Sequence, residues 1–296
     1  MSPMIGIIII NYNGYADTEE CIASLQNGSY NNIKIYIVDN ASCDSDRNHL
    51  KKVEATYNNV TVIFNDANLG FSLANNVGAE KAIQDGVDYI SFLNNDTIVS
   101  NDFFSKLVEH VENGKRIYTC KMMYYTKPDT IWFAGGDYSF AKGTAYHDGV
   151  NKKDSAEFSN DKYIKFATGC FWLLSSDDYR TLGGWPEEFF LYSEDCDFSL
   201  SAIEKGFKIK YIGDVVLYHK VSASTKKLTN ISAYYIMRNR LIVIHKHHKG
   251  IFKITAFCYT ALVAGKAIVK KRMSFETVRR AWKDYFKKKW GKYSDG

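Results

Sequence analysis

The chain has 296 residues, 46% hydrophobic and 15% aromatic, with three prolines and a formal charge of +5. Such a composition describes a folded chain with room for one α/β domain of roughly 200–250 residues plus an appendage, and it excludes a disordered or repeat-built protein. The six cysteines are scattered with no CxxC pair, which argues against a zinc ribbon or disulfide framework and fits reduced thiols in a cytoplasmic protein.

Met1-Ser2-Pro3-Met4 carries neither a basic leader nor a small-residue cleavage site. Ile5–Ile10 is too short to span a bilayer and reads as a buried strand. Asn11-Tyr12-Asn13-Gly14 follows, then an amphipathic stretch through Gln26. A second strand, Lys34–Val38, ends in Asp39-Asn40, and a third, Val60–Phe64, ends in Asn65-Asp66 and leads into Asn68-Leu69-Gly70-Phe71. A helix is expected over Leu73–Gln84, and a fourth strand, Tyr89–Leu93, runs into Asn94-Asn95-Asp96. Apolar strands alternating with helices imply parallel βαβ units, whose ligands bind at the carboxyl ends of the strands. All four strands end in polar residues, so one ligand crevice is expected there.

No GxGxxG and no P-loop is present, which disfavours a dinucleotide fold or a P-loop NTPase. The residue types still suit a nucleotide: Asp39 can accept from a base imide or ribose hydroxyl, and Asn11, Asn13, Asn40 and Asn68 can donate and accept. Each is also a good turn former or helix cap, so the inference rests on the four strand ends together. In Asn94-Asn95-Asp96, one carboxylate beside a neutral amide suits a divalent cation that takes its other ligands from phosphate and water.

Arg116–Met122 reads as a strand, Trp132–Gly136 and Phe166–Leu174 as an aromatic strand or hairpin system interrupted by glycines, and the polar region 142–162 as a loop. Leu182-Gly183-Gly184-Trp185-Pro186 leads to Phe189-Phe190-Leu191-Tyr192-Ser193-Glu194-Asp195-Cys196-Asp197, an acidic cluster on an aromatic run. A carboxylate there suits a base that takes a proton from an alcohol. The acidic residues also fit the first turn of a helix through Phe198, Leu200 and Ile203, and both roles are compatible. No Ser/His/Asp or Cys/His arrangement stands out for covalent catalysis.

Lysine and arginine crowd residues 226–292. Tyr234–Ile244 reads as a helix. Ile251–Val269 is apolar, but Lys253 and Lys266 leave about a dozen uncharged residues between them, short of the ~20 needed for a span. Trp282, Tyr285, Phe286 and Trp290 interleave with Lys283, Lys287, Lys288 and Lys289, which suits a helix at an anionic membrane surface. The alternative is a basic face on a helix packed against its own domain or a second subunit, as in a homodimer. No nucleic-acid-binding motif accompanies the charge.

In order, Ile9–Gly14, Val38–Ser42, Asn68–Phe71, Leu93–Asp96, Thr168-Gly169, Leu182–Trp185, Phe189–Asp195, His219 and Arg238-Asn239 form a specific set. The chain resembles inverting family 2 glycosyltransferases of the GT-A type, especially the bacterial rhamnosyltransferase-like branch that builds surface polysaccharides. The resemblance covers about residues 4–240. It implies an α/β fold, a GT-A nucleotide-binding sheet flanked by helices, within a domain of residues 1–225. The nucleotide-sugar half would be about 1–100, the acceptor half about 101–225, and residues 226–296 a helical, basic C-terminal region.

By the same resemblance, Asn11, Tyr12, Asn13, Asp39, Asn40, Asn68, Gly70, Asn94, Asn95 and Asp96 line the nucleotide-sugar site. Asn94-Asn95-Asp96 stands where the family has DXD, with Asn in the first position. Asp96 and His219 would hold Mn2+ or Mg2+ on the diphosphate. Asp195 would be the catalytic base, helped by Glu194, with Thr168, Gly169, Trp185 and Tyr192 facing the acceptor. The expected substrates are a nucleotide-diphosphate sugar, dTDP-rhamnose or a UDP-hexose, and a glycan or lipid-linked acceptor, at the cytoplasmic face of the membrane. A sugar nucleotidyltransferase and a non-catalytic carbohydrate-binding scaffold are the rival readings.

Overall fold

The computed structural model describes residues 2–221 and 230–293. The expected boundary near residue 225 lies outside the described residues. Four parallel strands form the first half of the sheet: β1 (Ile5–Asn11), β2 (Ile33–Asp39), β3 (Val60–Phe64) and β4 (Tyr89–Leu93). The apolar runs of β1, β2 and β4 are buried on both faces, as parallel strands between helices require, while the edge strand β3 is only half covered. Helices α1 (Tyr15–Gln26), α2 (Asp44–Thr56) and α3 (Gly70–Gln84) make the crossovers. α2 leaves little signal in the sequence, because its apolar stripe reduces to Leu50 and Val53 among charged residues.

The sheet is ten-stranded, with the path β10-β12-β6-β11-β4-β1-β2-β3, the later strands being β6 (Arg116–Tyr124), β10 (Lys162–Ile164), β11 (Phe171–Ser175) and β12 (Lys208–His219). Two further strands complete it, the short β5 (Thr97–Val99) on β12 and β7 (Lys127–Phe133) on β6. From β1 the chain winds out to β2 and β3, then returns to place β4 on the other side of β1. The crevice beyond β1 and β4 is therefore a topological switch point, where open α/β sheets bind ligands.

β11 runs antiparallel to β4, and β12 parallel to β6. Helices α4 (Phe103–Glu109), α5 (Ser176–Leu182) and α6 (Glu194–Glu204) flank this half. The region 142–162, expected as a loop, is partly ordered: β8 (Gly136–Ser139) pairs with β9 (Thr144–His147), and Ala156–Phe158 makes a 3-10 turn before β10. Gly143, at φ 62°, turns that hairpin, and its polar strands carry no apolar alternation by which sequence would reveal them.

The C-terminal region is three helices, α7 (Asn230–His247), α8 (Gly250–Val269) and α9 (Phe275–Phe286). Leu241, Ile242 and Val243 of α7 pack against Phe189 and Leu200 beside the acidic cluster. Two expectations change here. Tyr285 is buried, and Trp282 and Trp290 are half-buried against α7, so only Phe286 of the four tail aromatics is exposed. Burying a large side chain contributes roughly 1.5–3 kcal/mol, and the aromatic stripe therefore turns inward and leaves the lysines outside. Conversely, Gly250–Val269 is one unbroken 20-residue helix with mean hydropathy 1.4, long and apolar enough to cross a membrane by length and composition. Ile251, Phe252, Ile254, Leu262 and Val269 on it are exposed.

Candidate active site

At the ends of β1 and β2, Asn11 and Asp39 stand side by side in register. The Asn11 amide donates to Asp39 Oδ1 at 3.1 Å and to Ser42 Oγ at 3.0 Å, while its Oδ1 accepts from Thr18 Oγ1 at 2.8 Å. Asp39 Oδ2 accepts from the Ser42 N–H and pairs with Arg47 Nε, each at 3.2 Å. Both Asn11 and Asp39 are fully buried. A base or ribose reaching Asp39 must therefore share a carboxylate that already fixes the Asn11–Ser42 turn. Arg47, on α2, escaped the sequence reading because that helix did.

Asn13 occupies the left-handed region at φ 51°, its Oδ1 accepting from the Cys43 N–H at 2.8 Å. Tyr12 beside it is 53% exposed and free to meet a ligand. Asn40 donates to Asn68 Oδ1 at 3.0 Å and accepts from the Leu69 N–H at 2.9 Å, so Asn40 and Asn68 shape the entry to α3. Gly70 was expected on the nucleotide. It sits at φ 82° where any Cβ would collide with the Phe190 carbonyl, and the next N–H, of Phe71, donates to that carbonyl at 2.8 Å. Glycine is needed there for the close approach of the two halves of the site.

β5 pairs with β12 so that Thr97 lies opposite His219, which brings the preceding Asp96 to that histidine. His219 Nε2 and Asp96 Oδ1 are 3.1 Å apart and both residues are buried. His219 Nδ1 is buried without a hydrogen-bond partner among the described residues, and its ring packs on Trp132 at 4.3 Å. One carboxylate and one imidazole, brought together from positions 123 apart in the chain, make a donor set that fits a divalent cation. Asn94 and Asn95 flank them, Asn95 donating to Thr18 Oγ1 at 2.9 Å. Another group, His110 with Asp161 and Asp214, is more exposed, and Lys210 already lies 3.6 Å from Asp161.

Asp195 opens α6. Its Oδ2 accepts from the Gly169 N–H at 3.1 Å and its Oδ1 from the Cys196 N–H at 2.8 Å. Burial raises its carboxyl above the ordinary range, opposed by those two donors. Glu194 is 6% exposed with Oε2 unpartnered, and burial, then the neighbouring Asp195 charge, pushes its carboxyl well above the usual value. Two adjacent carboxyls in one low-dielectric site do not both ionise readily, and burial raises both, Glu194 well above its usual value and Asp195 against the pull of its two N–H donors.

Gly169, held next to Phe71 and Asp195, leaves no room for a larger residue without displacing the Phe71 ring, 3.2 Å from where a Cβ would lie. The neighbouring Cys170 carbonyl accepts from the Asn94 N–H at 2.9 Å. Segment 168–170 thus ties the Asp96 corner to the Asp195 corner. The Thr168 carbonyl is taken by Trp172 Nε1 at 2.7 Å. Trp185, expected on the acceptor wall, is 1% exposed and stacked on Phe198 with a 4.6 Å ring separation. It supports the site from below and does not face the crevice. Tyr192 is half-buried at φ 67°, and Ser193 follows at φ 71°.

Two successive left-handed non-glycine residues need bracing. Asn239, fully buried on α7, supplies it by donating to the Leu191 carbonyl at 2.8 Å and the Tyr192 carbonyl at 2.7 Å. Arg238 Nε in turn donates to Asn239 Oδ1 at 3.0 Å. Further along α6, buried Asp197 accepts from Lys246 at 2.8 Å and meets His247 Nε2 at 2.9 Å. The motif pair Arg238-Asn239 was visible in sequence; its hold on the acidic loop was not.

The sequence pattern described as Glycosyl transferase family 2 matches residues 6–183, more than half of the chain. The chain belongs to that family. This family 2 glycosyltransferase is 25% identical to rhamnosyltransferase WbbL of Escherichia coli K12 over 222 residues, 71% of this chain and 80% of the relative. It is 20% identical to dTDP-rhamnosyl transferase RfbF of Shigella flexneri over 268 residues, 84% of this chain and 82% of the relative. An uncharacterized glycosyltransferase of Haemophilus influenzae is 34% identical over 117 residues, 40% of this chain and less than half, 46%, of that protein. Among solved structures, mannosyltransferase PcManGT of Pyrobaculum calidifontis, in complex with GDP-Man and Mn2+, superposes with a TM-score of 0.62 at 14% identity, covering 91% of this chain and 76% of that one. The shared architecture is the GT-A fold: the mixed sheet with flanking helices expected from sequence.

Proposed function

We propose that this glycosyltransferase moves a sugar, with inversion, from a nucleotide-diphosphate donor to a hydroxyl of a lipid-linked or polysaccharide acceptor in surface polysaccharide synthesis. The names of the two rhamnosyltransferase relatives favour dTDP-rhamnose, with a UDP-hexose as the alternative donor. The observation that carries the reading is Asp195: a carboxylate held by the Gly169 and Cys196 N–H groups, its proton affinity raised by burial, beside the buried Glu194 and tied through residues 168–170 to the Asp96 corner.

In this mechanism the nucleotide lies over the Asn11–Gly14 and Asp39–Ser42 turns, and its diphosphate reaches Asp96. Asp195 takes the proton of the acceptor hydroxyl while that oxygen bonds to the anomeric carbon. The bond from that carbon to the diphosphate oxygen breaks, and the nucleoside diphosphate leaves with the electron pair. Such a base contributes ~10²–10⁴-fold. A divalent cation held by Asp96 and His219 would neutralise charge on the departing diphosphate. Asn239 and the Gly169 N–H keep Asp195 aimed, and the raised proton affinity matches it to an alcohol.

The exposed apolar face of α8, not the aromatics of α9, supports peripheral attachment to the inner membrane face. A donor panel with Mn2+ and membrane-extracted acceptor tests the reaction. Release of nucleoside diphosphate with an inverted anomeric linkage by NMR is the expected result. Pyrophosphate release from nucleoside triphosphate and sugar phosphate would instead mark a nucleotidyltransferase, and binding without turnover a scaffold.

A further inference from the structure

Between α7, α9 and the segment after α9 lies a cavity of about 360 Å3. Arg238, Arg280, Lys288, Lys289 and Lys292 line it against a single carboxylate, Asp284. That carboxylate is engaged: it accepts from the Tyr234 hydroxyl at 2.8 Å and stands 3.8 Å from Arg280 Nε. Arg238 is 1% exposed, yet among the described residues its guanidinium donates only to neutral atoms: Asn239 Oδ1, the Tyr234 hydroxyl, and the Lys289 and Gly291 carbonyls. A buried cation is ordinarily matched by a counter-charge. Lys288 and Lys289 are exposed on the rim, and the buried Trp290 Nε1 has no acceptor among the described residues. The cavity is therefore rich in positive charge and donors and poor in acceptors. A diphosphate supplies what it lacks, several negative charges and many acceptor oxygens in a small volume.

The cavity also adjoins the reaction site. Lys292 reaches from it to the Asn68 carbonyl at 3.3 Å and lies 5.6 Å over the Phe190 ring. The Gly291 N–H donates to the Glu188 carbonyl at 2.8 Å, just ahead of the acidic loop. The same appendage carries the exposed apolar side chains of α8. We propose that this cavity binds the diphosphate of an amphiphilic, lipid-linked acceptor and so presents the acceptor's hydroxyl to the neighbouring crevice. The proposal rests on the glycosyl-transfer reading above and names the acceptor chemistry that reading leaves open.

The test is calorimetric titration of the full chain with farnesyl diphosphate, inorganic pyrophosphate and farnesol, in EDTA so that the donor site has no cation to hold a diphosphate. The wild type should bind farnesyl diphosphate more tightly than pyrophosphate and not bind farnesol. Lys288→Gln/Lys289→Gln, at exposed positions, should weaken both diphosphates at least about tenfold, the value of one lost charge-assisted hydrogen bond. Its affinity for nucleoside diphosphate with Mn2+ should be unchanged. Equal diphosphate binding by variant and wild type would overturn the proposal. So would pyrophosphate binding as tightly as farnesyl diphosphate, which marks a free-phosphate site. Adhesion to anionic vesicles without binding of either soluble diphosphate overturns it too, leaving a headgroup surface. Failure of nucleotide binding in both proteins would count against the donor reading alone, since the EDTA titrations do not depend on it.

Discussion

Replacing Asn239 with alanine removes three hydrogen bonds at once: those to the Leu191 and Tyr192 carbonyls, and the one accepted from Arg238 Nε. At roughly 1 kcal/mol net for each, the loss is about 3 kcal/mol. For a chain of this size that lowers Tm by roughly 6–12 °C. The consequence for catalysis is separate. Tyr192 and Ser193 hold left-handed conformations that cost roughly 1–3 kcal/mol each. Without the amide they relax toward ordinary backbone and carry Asp195, at the start of α6, away from its aim. A misplacement of ~1 Å can cost ~10²-fold, so kcat should fall by about that much while KM for the donor and nucleotide affinity stay within a few-fold. The assay is steady-state transfer measured well below the variant's Tm, alongside differential scanning fluorimetry. A variant that loses the predicted stability yet keeps kcat within about twofold would refute the idea that Asn239 aims the base.

The paired substitutions Asp195→Asn and Glu194→Gln should separate sharply: the first lowers kcat by at least ~10²-fold with nucleotide binding intact, the second by less than about tenfold. Glu194→Gln also has a pH signature. The folded-state carboxyl of Glu194 is raised, so its contribution to stability is fully present below the ordinary carboxylate range and is lost as pH rises through the shifted value. The glutamine variant should therefore gain Tm relative to wild type at pH 8 and match it at pH 4; equal differences at both pH values would contradict a buried neutral Glu194. Asp96→Ala should abolish Mn2+-dependent stabilisation by nucleotide diphosphates, with His219→Ala milder, as thermal shift will show; wild-type activity indifferent to EDTA would remove the metal from both residues. Ile251→Ser/Ile254→Ser/Leu262→Ser, all exposed on α8, should release the chain from vesicles with nucleotide binding unchanged, whereas unchanged co-sedimentation would sink the membrane reading of that helix.

The local sequence determined the strands, because an unbroken apolar run such as Ile5–Ile10 is stable only with both faces covered, and it placed polar residues at each carboxyl end. It also singled out Asp96 and Asp195 as candidate carboxylates. It did not decide what each polar residue meets. Gly70 is also a clearance for the Phe190 carbonyl, a role sequence did not show, because close approach between segments 120 residues apart leaves no trace in local pattern. Trp185 and the α9 aromatics looked like ligand or membrane surface and turned inward, since amphipathic spacing does not reveal which partner covers the apolar side. The Asp96–His219 pair depended on the β5–β12 register. The raised carboxyl of Glu194 depended on burial that only packing creates. Residue types and their order along the chain pointed to candidates; pairing, burial and the C-terminal helices decided which of those side chains stand together.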